Sequence, residues 1–263
     1  MIEIYKEYGQ ILSNLTEQVK RENNNQKISF IGRLDPMAAG KMIYLVGDEC
    51  KKMPEYIKVD KVYSFELLLG LSTDTDDILG LIKEKKNLDL TDNLKNAIYN
   101  ILESYDNYTY YQKYPNYSSY VIKKDGLRKP LWYFEKKGTL TNDDIPSHKI
   151  TIKSLKINNK TNSKTDNNTD FEIITDYKSF IDDINQLETK ENIDLRKDKI
   201  LQQYLLCEEN IRNKNIENIS FVKIPLIAHV TSGTYIRKLC NDIGKDLNIP
   251  ALALHIKREE FIY

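Results

Sequence analysis

Residues 32–40 (GRLDPMAAG) place a single carboxylate, that of Asp35, directly before a proline. Pro36 fixes its own φ at about −65° and disfavours helical geometry at the preceding residue, so Asp35 is expected in an extended loop conformation. Glycines at both ends of the segment allow the backbone to bend or to approach a ligand closely. The apolar run at residues 42–46 predicts a buried strand. The pattern therefore predicts an acid presented beside a strand, although an Asp-Pro pair that only starts a turn is the alternative.

Residues 229–237 (HVTSGTYIR) carry a second candidate group, the guanidinium of Arg237. The segment predicts the end of a strand, a Ser-Gly-Thr turn and the first turn of a helix. The helix dipole favours anions at that end, so a cation there gains nothing from it. A specific carboxylate partner would explain Arg237, whereas a surface charge behind a helix cap at Thr234 is the alternative.

Residues 70–80 (GLSTDTDDILG) concentrate carboxylates at Asp74, Asp76 and Asp77. Oxygen-rich loops of this kind can bind Mg²⁺ or Ca²⁺, but Glu84 stands in the wrong place for an EF-hand. The alternative is a polar turn whose side chains cap neighbouring backbone amides. A magnesium-dependent enzyme that uses these three residues is one hypothesis for the function.

The charged residues balance, with 39 Lys and Arg against 39 Asp and Glu. Because no global positive field results, a polyanionic partner would have to meet a local basic patch. Most basic pairs in proteins are ordinary solvated surface. The candidate pairs are Lys51-Lys52, Lys123-Lys124, Arg128-Lys129, Lys136-Lys137 and Lys257-Arg258.

The other reactive residue types form no recognisable site. Three cysteines lie far apart without C-x-x-C spacing, which favours a reducing compartment over a disulfide framework or a zinc site. His148, His229 and His255 lack metal-ligand spacing, and no dinucleotide-binding, Walker or nucleophile-elbow motif is present. No apolar run approaches about 18 residues. We therefore expect a soluble, cytoplasmic protein that uses no metal, cofactor or membrane.

Strand-like and helix-like segments interleave irregularly, which predicts an α+β domain around a mixed sheet. We expect strands near residues 2–4, 42–46, 61–70, 150–157, 171–174, 221–230 and 251–256. We expect helices at about residues 11–19, 91–102 and 235–247, and a charged helical region at about 177–215. Ser13 or Asn14 would cap the first helix. The tyrosine-rich residues 105–120 predict an ordered loop, and the polar residues 158–170 a mobile one.

Taken in order, four segments resemble the TruB-type pseudouridine synthases, which isomerise a uridine in the T-loop of tRNA. The family's G-x-L-D-P-x-A-x-G loop is similar to residues 32–40, and its K-x-Y strand to residues 61–63. Its G-x-x-T-D-T-x-D-x-x-G segment is similar to residues 70–80, and G-T-Y-I-R is intact at residues 233–237. Weaker similarity occurs at residues 6–13 and 115–119. The resemblance implies a largely antiparallel central sheet with flanking helices and loops.

The resemblance also implies roles for individual residues. Asp35 would be the catalytic aspartate that starts cleavage of the N-glycosidic bond. Tyr63 would stack on the target base and take part in the later proton transfer. Arg237 would pair with Asp35 and keep it ionised, and Tyr235 and Ile256 would form walls of the base pocket. The isomerase (an intramolecular transferase) would need no cofactor.

The chain departs from the family pattern in three ways. Phe30 stands where the family usually has a histidine thought to wedge the RNA open; it could still stack on RNA. Residues 158–170 and 177–215 have no counterpart that we can match. We also expect residues 1–263 to form one catalytic domain without the small RNA-binding PUA domain of relatives.

Two hypotheses for the function follow from the resemblance. The first is a monomeric enzyme that converts a uridine to pseudouridine in the T-arm of tRNA, or in another RNA that offers a similar loop. The second is an RNA-binding or RNA-folding protein that retains the scaffold without turnover. It predicts that Lys51, Lys123, Arg128 and Lys257 carry RNA binding while Asp35 is dispensable.

Overall fold

A computed structural model describes residues 1–158, 170–191, 193–213 and 219–263 of the chain. Seven α-helices occur in this part of the chain, with short 3₁₀ turns at Gly47–Lys52 and Asn142–Asp144. The helices are α1 (Leu12–Glu22), α2 (Met53–Tyr56), α3 (Asp92–Tyr105), α4 (Leu131–Lys136), α5 (Lys178–Asn185), α6 (Lys197–Arg212) and α7 (Ile236–Asp246). None of them is long and apolar enough to cross a membrane.

Nine of the thirteen described strands form one sheet in the order β1-β3-β13-β4-β12-β10-β7, with β2 paired to β3 and β11 to β12. The pairs β5-β6 and β8-β9 form two small separate hairpins. The strands are β1 (Ile2–Lys6), β2 (Ile28–Ile31), β3 (Ala38–Val46), β4 (Asp60–Leu69), β5 (Leu71–Thr73), β6 (Ile82–Lys85), β7 (Tyr108–Lys113), β8 (Val121–Lys124), β9 (Leu127–Pro130), β10 (Ser147–Ile157), β11 (Glu172–Ile174), β12 (Phe221–Val230) and β13 (Ala251–Ile262).

The central sheet is mixed because β13 runs parallel to β3 and antiparallel to β4. The other described pairs in the sheet are antiparallel. The prediction of an α+β fold with a mixed, largely antiparallel sheet is confirmed.

The central strands are buried on both faces, which explains their continuous apolar runs. Successive side chains of a strand point to opposite faces, and Leu67 and Leu69 of β4 join one core cluster while Leu68 joins another. Helices α1, α3 and α7 cover the first cluster. Helices α5 and α6, from the predicted charged helical region, cover the second through Phe180, Ile184 and Tyr204. Helices α5 and α6 are therefore part of the core.

His255 lies at a bulge in β13 and links helix α5 to the sheet through ion pairs. Its Nδ1 lies 2.7 Å from Glu66 and its Nε2 3.0 Å from Asp183 of α5. Burial alone would lower the pKa of this imidazole, but the two carboxylates raise it to about 10. This histidine is thus a charged structural link.

Most predicted elements occur close to their expected positions, and Thr91 caps α3 through a bond from the Leu94 amide. The predicted cap at Ser13 or Asn14 is wrong, because the residue at the N-cap of α1 is Ile11, whose side chain accepts no hydrogen bond. The Ile11 amide donates instead to the Glu188 carboxylate (2.9 Å). The loop predicted over residues 105–120 is wrong in its first half, where β7 pairs with β10 and stacks its tyrosines. Most of the low-complexity segment predicted at 158–170 lies outside the described residues.

Candidate active site

The loop that carries Asp35 joins β2 to β3 and is anchored on both faces of the sheet. Leu34 packs into one core cluster and Met37 into the other, and both are almost fully buried. The Ala38 amide donates to the Asp35 carbonyl (3.0 Å), which closes a tight turn. The carboxylate between the two anchors stays 34% exposed. The loop therefore presents Asp35 to the surface from a rigid base.

Lys6, at the end of β1, supports this turn from beneath. Its ammonium donates to the carbonyls of Pro36 (3.1 Å) and Ala38 (2.6 Å), and the Gly9 amide also donates to Pro36 (3.1 Å). The side chain is fully buried, and burial lowers its pKa to about 8 although Asp35 opposes the shift. Lys6 thus belongs to the base of the loop.

Arg258 of β13 joins the two ends of the loop. It donates from Nε to the Lys41 carbonyl (2.8 Å) and from Nη2 to the Gly32 carbonyl (3.0 Å). Gly40 crosses the β13 backbone so closely that a Cβ would lie 2.3 Å from the Arg258 carbonyl oxygen. Since Arg258 is fully buried, its predicted place in a surface patch with Lys257 is wrong.

Arg237 of α7 contacts Asp35 directly. Its Nε lies 2.8 Å from Oδ2 of Asp35. Its Nη1 donates to the Thr75 carbonyl (2.5 Å) and its Nη2 to the Tyr117 carbonyl (3.3 Å). Within the described part of the chain, Oδ1 of Asp35 has no hydrogen-bond partner, which leaves one oxygen available for chemistry. Asp35 is therefore the carboxylate partner that the sequence predicted for Arg237.

A second carboxylate, that of Asp77, lies 3.7 Å from the same Arg237 Nε. Asp77 accepts from the Thr75 hydroxyl (2.7 Å) and the Leu79 amide (2.9 Å). Burial raises its pKa to about 6, against the opposing effect of Arg237. Burial would lower the pKa of Arg237, but Asp35 and Asp77 raise it further, so the guanidinium stays charged.

One cleft of about 410 Å³ unites all the site residues predicted from the sequence. Asp35 and Arg237 lie at one side of it, and the apolar and aromatic walls come from different elements. The walls include Phe30 of β2, Tyr63 of β4, Tyr235 before α7 and Ile256 of β13.

The walls of the cleft are held in place by packing. Tyr63 is only 7% exposed and joins the core, and the Phe30 ring packs edge-on against Tyr44 at 6.0 Å. The backbone of Tyr235 exchanges two hydrogen bonds with the Gln112 amide (2.9 and 3.2 Å). Burial and the Asp35 charge raise the pKa of the Tyr235 hydroxyl to about 12.

A second cleft of about 490 Å³ adjoins the first and shares the Asp35–Arg237 pair with it. Arg33 also borders both clefts and donates to the Ser119 hydroxyl (3.0 Å) between them. The far wall contains Trp132 and the segment that precedes α6, residues 193–196. Asp35 therefore lies between two connected clefts.

The carboxylates of the acidic segment at residues 70–80 accept hydrogen bonds from other groups of the protein. Asp74 forms two bonds with Arg196 (2.6 and 3.0 Å), and Asp76 accepts from Asn241 (2.9 Å). Asp77 is bonded as described above. Among the described residues, no group of three or more Asp, Glu, His or Cys side chains could hold a metal ion. Asp74 and Asp77 also accept from the Leu81 and Leu79 amides (2.9 Å each), as the capping alternative predicts, whereas Asp76 accepts from a side-chain amide.

The cations of the predicted basic patches differ in whether they pair with a nearby carboxylate. Lys51 pairs with Asp48 (2.7 Å), and Lys257 pairs with Glu259 (2.9 Å). Lys123 and Arg128 instead face each other across the β8-β9 hairpin, which follows the cleft-lining residues 118–120. This hairpin is the strongest candidate for a positive surface beside the cleft.

Sequence reasoning missed three residues that support the Asp35–Arg237 pair. Lys6 lay in a weakly matching motif, and Arg258 looked like half of a surface pair. Arg196 lay in a charged region with no matched counterpart. The missing information is long-range: Arg258 and the Gly32 carbonyl it binds are 226 residues apart.

Comparison with known proteins gives consistent results. The model of the TruB family pseudouridylate synthase N-terminal domain matches residues 20–181. A tRNA pseudouridine synthase B of Clostridium perfringens is 26% identical, with 98% of this chain and 65% of that protein covered. For tRNA pseudouridine synthase 4 of Saccharomyces cerevisiae the identity is 27%, with coverage of 86% and 59%. This chain thus spans about half to two thirds of the length of such relatives.

A solved Cbf5-Nop10-Gar1 complex shares the fold, with a TM-score of 0.53 at 13% identity; 99% of this chain and 48% of that chain are covered. Because the family model covers more than half of the residues, the chain belongs to the TruB family of pseudouridylate synthases.

Proposed function

We propose that this protein isomerises a uridine of RNA to pseudouridine, and that its substrate is the T-loop uridine of tRNA. Asp35 is the catalytic residue, and Phe30, Tyr63, Tyr235, Arg237 and Ile256 bind the substrate. The enzyme acts as a monomer in the cytoplasm. The continuous sheet from β1 to β13 supports a single catalytic domain, with α5 and α6 built into it.

One observation carries the proposal: six residues from four separated segments, the Asp35–Arg237 pair among them, line a single cleft. Family membership supports the same reaction. The walls suit a planar, uncharged base, because aromatic rings stack on bases at about 1–3 kcal/mol per base. That gain offsets the few kcal/mol needed to draw a base out of its stack.

The reaction conserves the atoms of the nucleotide. The bond from N1 of uracil to C1′ of ribose breaks, the base turns, and a bond from C5 to C1′ forms. C5 then loses its proton and N1 takes up one, so product and substrate have the same composition. The free Oδ1 of Asp35 can attack carbon or stabilise positive charge on the ribose. Arg237 holds the other oxygen in place, and Tyr63 stacks on the base and takes part in the proton transfer.

The decisive experiment incubates the protein with a T-arm stem-loop RNA and measures pseudouridine by mass spectrometry. Wild-type protein should form pseudouridine, and Asp35→Asn should form none while it binds the RNA normally. Asp48→Asn is the matched control, because the Asp48 side chain is 94% exposed and lies outside the cleft. No product from wild type, or equal product from Asp35→Asn, would contradict the proposal.

The same RNA tests the surface that binds it. Lys123→Gln with Arg128→Gln should weaken binding and lower its salt dependence, since each phosphate contact releases counterions. Lys51→Gln with Lys257→Gln should have a smaller effect, because both cations already pair with carboxylates. If RNA binding persists and Asp35→Asn has no biological effect, the RNA-binding or RNA-folding alternative is correct.

A further inference from the structure

We propose that Arg196 is a positioning residue that fixes the orientation of Arg237 and, through it, of Asp35. Arg196 touches neither residue; it binds the two segments whose carbonyls hold the Arg237 guanidinium. The inference rests on the proposed function in one respect, that the Asp35–Arg237 pair is the reacting centre.

The contacts of Arg196 link two parts of the chain. Its guanidinium forms a two-pronged bond to Asp74, with Nη1 at 2.6 Å from Oδ2 and Nη2 at 3.0 Å from Oδ1. Its flat face lies over the Tyr117 ring, 4.5 Å from the ring centre. The planar guanidinium of arginine can pair with a carboxylate and stack on a ring at the same time, which the ammonium of lysine cannot do.

Those two partners adjoin the acceptors of Arg237. Thr75, whose carbonyl accepts from Arg237 Nη1 (2.5 Å), follows Asp74 directly. The carbonyl of Tyr117 itself accepts from Arg237 Nη2 (3.3 Å). Arg196 therefore holds together both carbonyls that set the plane of the second guanidinium, and Arg237 in turn holds Oδ2 of Asp35 (2.8 Å).

The Arg196–Asp74 pair is more buried than an ordinary surface ion pair, and the backbone of Arg196 has an unusual conformation. Its side chain is 16% exposed and that of Asp74 14%, so the pair is largely shielded from solvent. Arg196 has φ +59°, a left-handed conformation that is strained for a side chain of this size. Its amide donates to Asp194 Oδ1 (2.7 Å), which stabilises that conformation just before α6. The surroundings thus hold a strained arginine in one place.

Arg196 also belongs to a segment outside the family match, which ends at residue 181. Residues 193–196 form the far wall of the second cleft beside Asp35. The segment therefore lies where it can support the Asp35–Arg237 pair. Because displacements of about 1 Å can cost about 100-fold in rate, loosening that support should act on turnover more than on binding.

The first test compares Arg196→Lys and Arg196→Met with wild type in single-turnover conversion of the T-arm RNA. We expect the rate to fall about 10-fold in the first and about 100-fold in the second, with RNA affinity within about twofold. Arg212→Met is the matched control, since Arg212 lies in α6, pairs with Glu208 (3.2 Å) and is 64% exposed. A rate unchanged in both Arg196 variants overturns the proposal.

The second test does not depend on activity. A buried, hydrogen-bonded arginine gives a resolvable Nε–H NMR signal, and the signal of Arg237 is assigned by its loss in Arg237→Lys. We expect it to shift in Arg196→Lys and Arg196→Met but not in Arg212→Met, with far-ultraviolet circular dichroism unchanged. An unshifted signal refutes the positioning role even if the rate falls. A shifted signal with no conversion by wild type refutes the proposed function alone.

Discussion

Replacing Arg237 with lysine would separate catalysis from RNA binding, because it keeps the positive charge and removes the planar fork of donors. The native guanidinium bonds Asp35, Thr75 and Tyr117 at once, and a lysine at the end of a different stem cannot meet all three. A hydrogen bond to a charged group contributes about 1.5–3 kcal/mol. If one such bond is lost in the transition state, the rate falls about 10- to 150-fold.

RNA affinity should change little in Arg237→Lys, since Arg237 is only 3% exposed and lies beneath Asp35. The assay pairs single-turnover pseudouridine formation with a filter-binding measurement of the dissociation constant on the same T-arm RNA. Arg212→Lys, at an exposed site in α6, controls for loss of arginine as such. A wild-type rate in Arg237→Lys, or equal losses in rate and affinity, would refute the assigned role of this pair.

Three further predictions concern the support of the loop and can be checked by denaturant titration. Lys6→Met should lower the free energy of unfolding by about 1–3 kcal/mol and slow conversion, because buried carbonyls of the loop lose their donor. Gly40→Ala should lower the free energy of unfolding by at least about 3 kcal/mol, because Gly40 has φ +117° and an added Cβ would clash with the backbone. Gly126→Ala should lower it by only about 1–2 kcal/mol, because the space around Gly126 is open. The folded-state pKa of Asp77 is raised from 3.8 to about 6, so the folded protein binds the Asp77 proton more tightly than the unfolded chain does. The resulting contribution to the free energy of unfolding is full below pH 4 and is lost as the pH rises through 6. Wild type should lose on the order of 3 kcal/mol relative to Asp77→Asn across that range; a parallel pH dependence of the two proteins would contradict this.

The sheet was predictable where burial on both faces leaves a long apolar run. The segments at 61–70 and 221–230 became β4 and β12, at the centre of the sheet. The hairpin of β8 and β9 was missed because its strands lie on the surface and carry charged residues, which gives no clear alternation. Strand β7 was missed because tyrosines on both of its faces conceal the period of two, and Pro115 lies just beyond its end.

The site was predictable only through its motifs, and their proximity was not visible in the sequence. An arginine in a first helical turn suggested a carboxylate partner, but nothing local identified Asp35, which is 202 residues away. Arg258 follows Lys257 and looks equally exposed. Only the parallel pairing of β13 with β3 turns it inward, towards the Gly32 and Lys41 carbonyls.

The Asp35 loop is therefore held in place by residues from distant parts of the chain. Lys6 supports it from the first strand, Arg237 orients its carboxylate from the last helix, and Arg258 joins its ends from the last strand. Since β13 lies between β3 and β4, the strand that supplies Arg258 also connects the Asp35 loop to the strand of Tyr63. A change that weakens the centre of the sheet must then disturb the distance between the proposed catalytic acid and the proposed stacking ring. Stability and turnover should consequently decline together for substitutions in β13, whereas at Arg196, which we propose to set the orientation of the pair, turnover should decline more than stability.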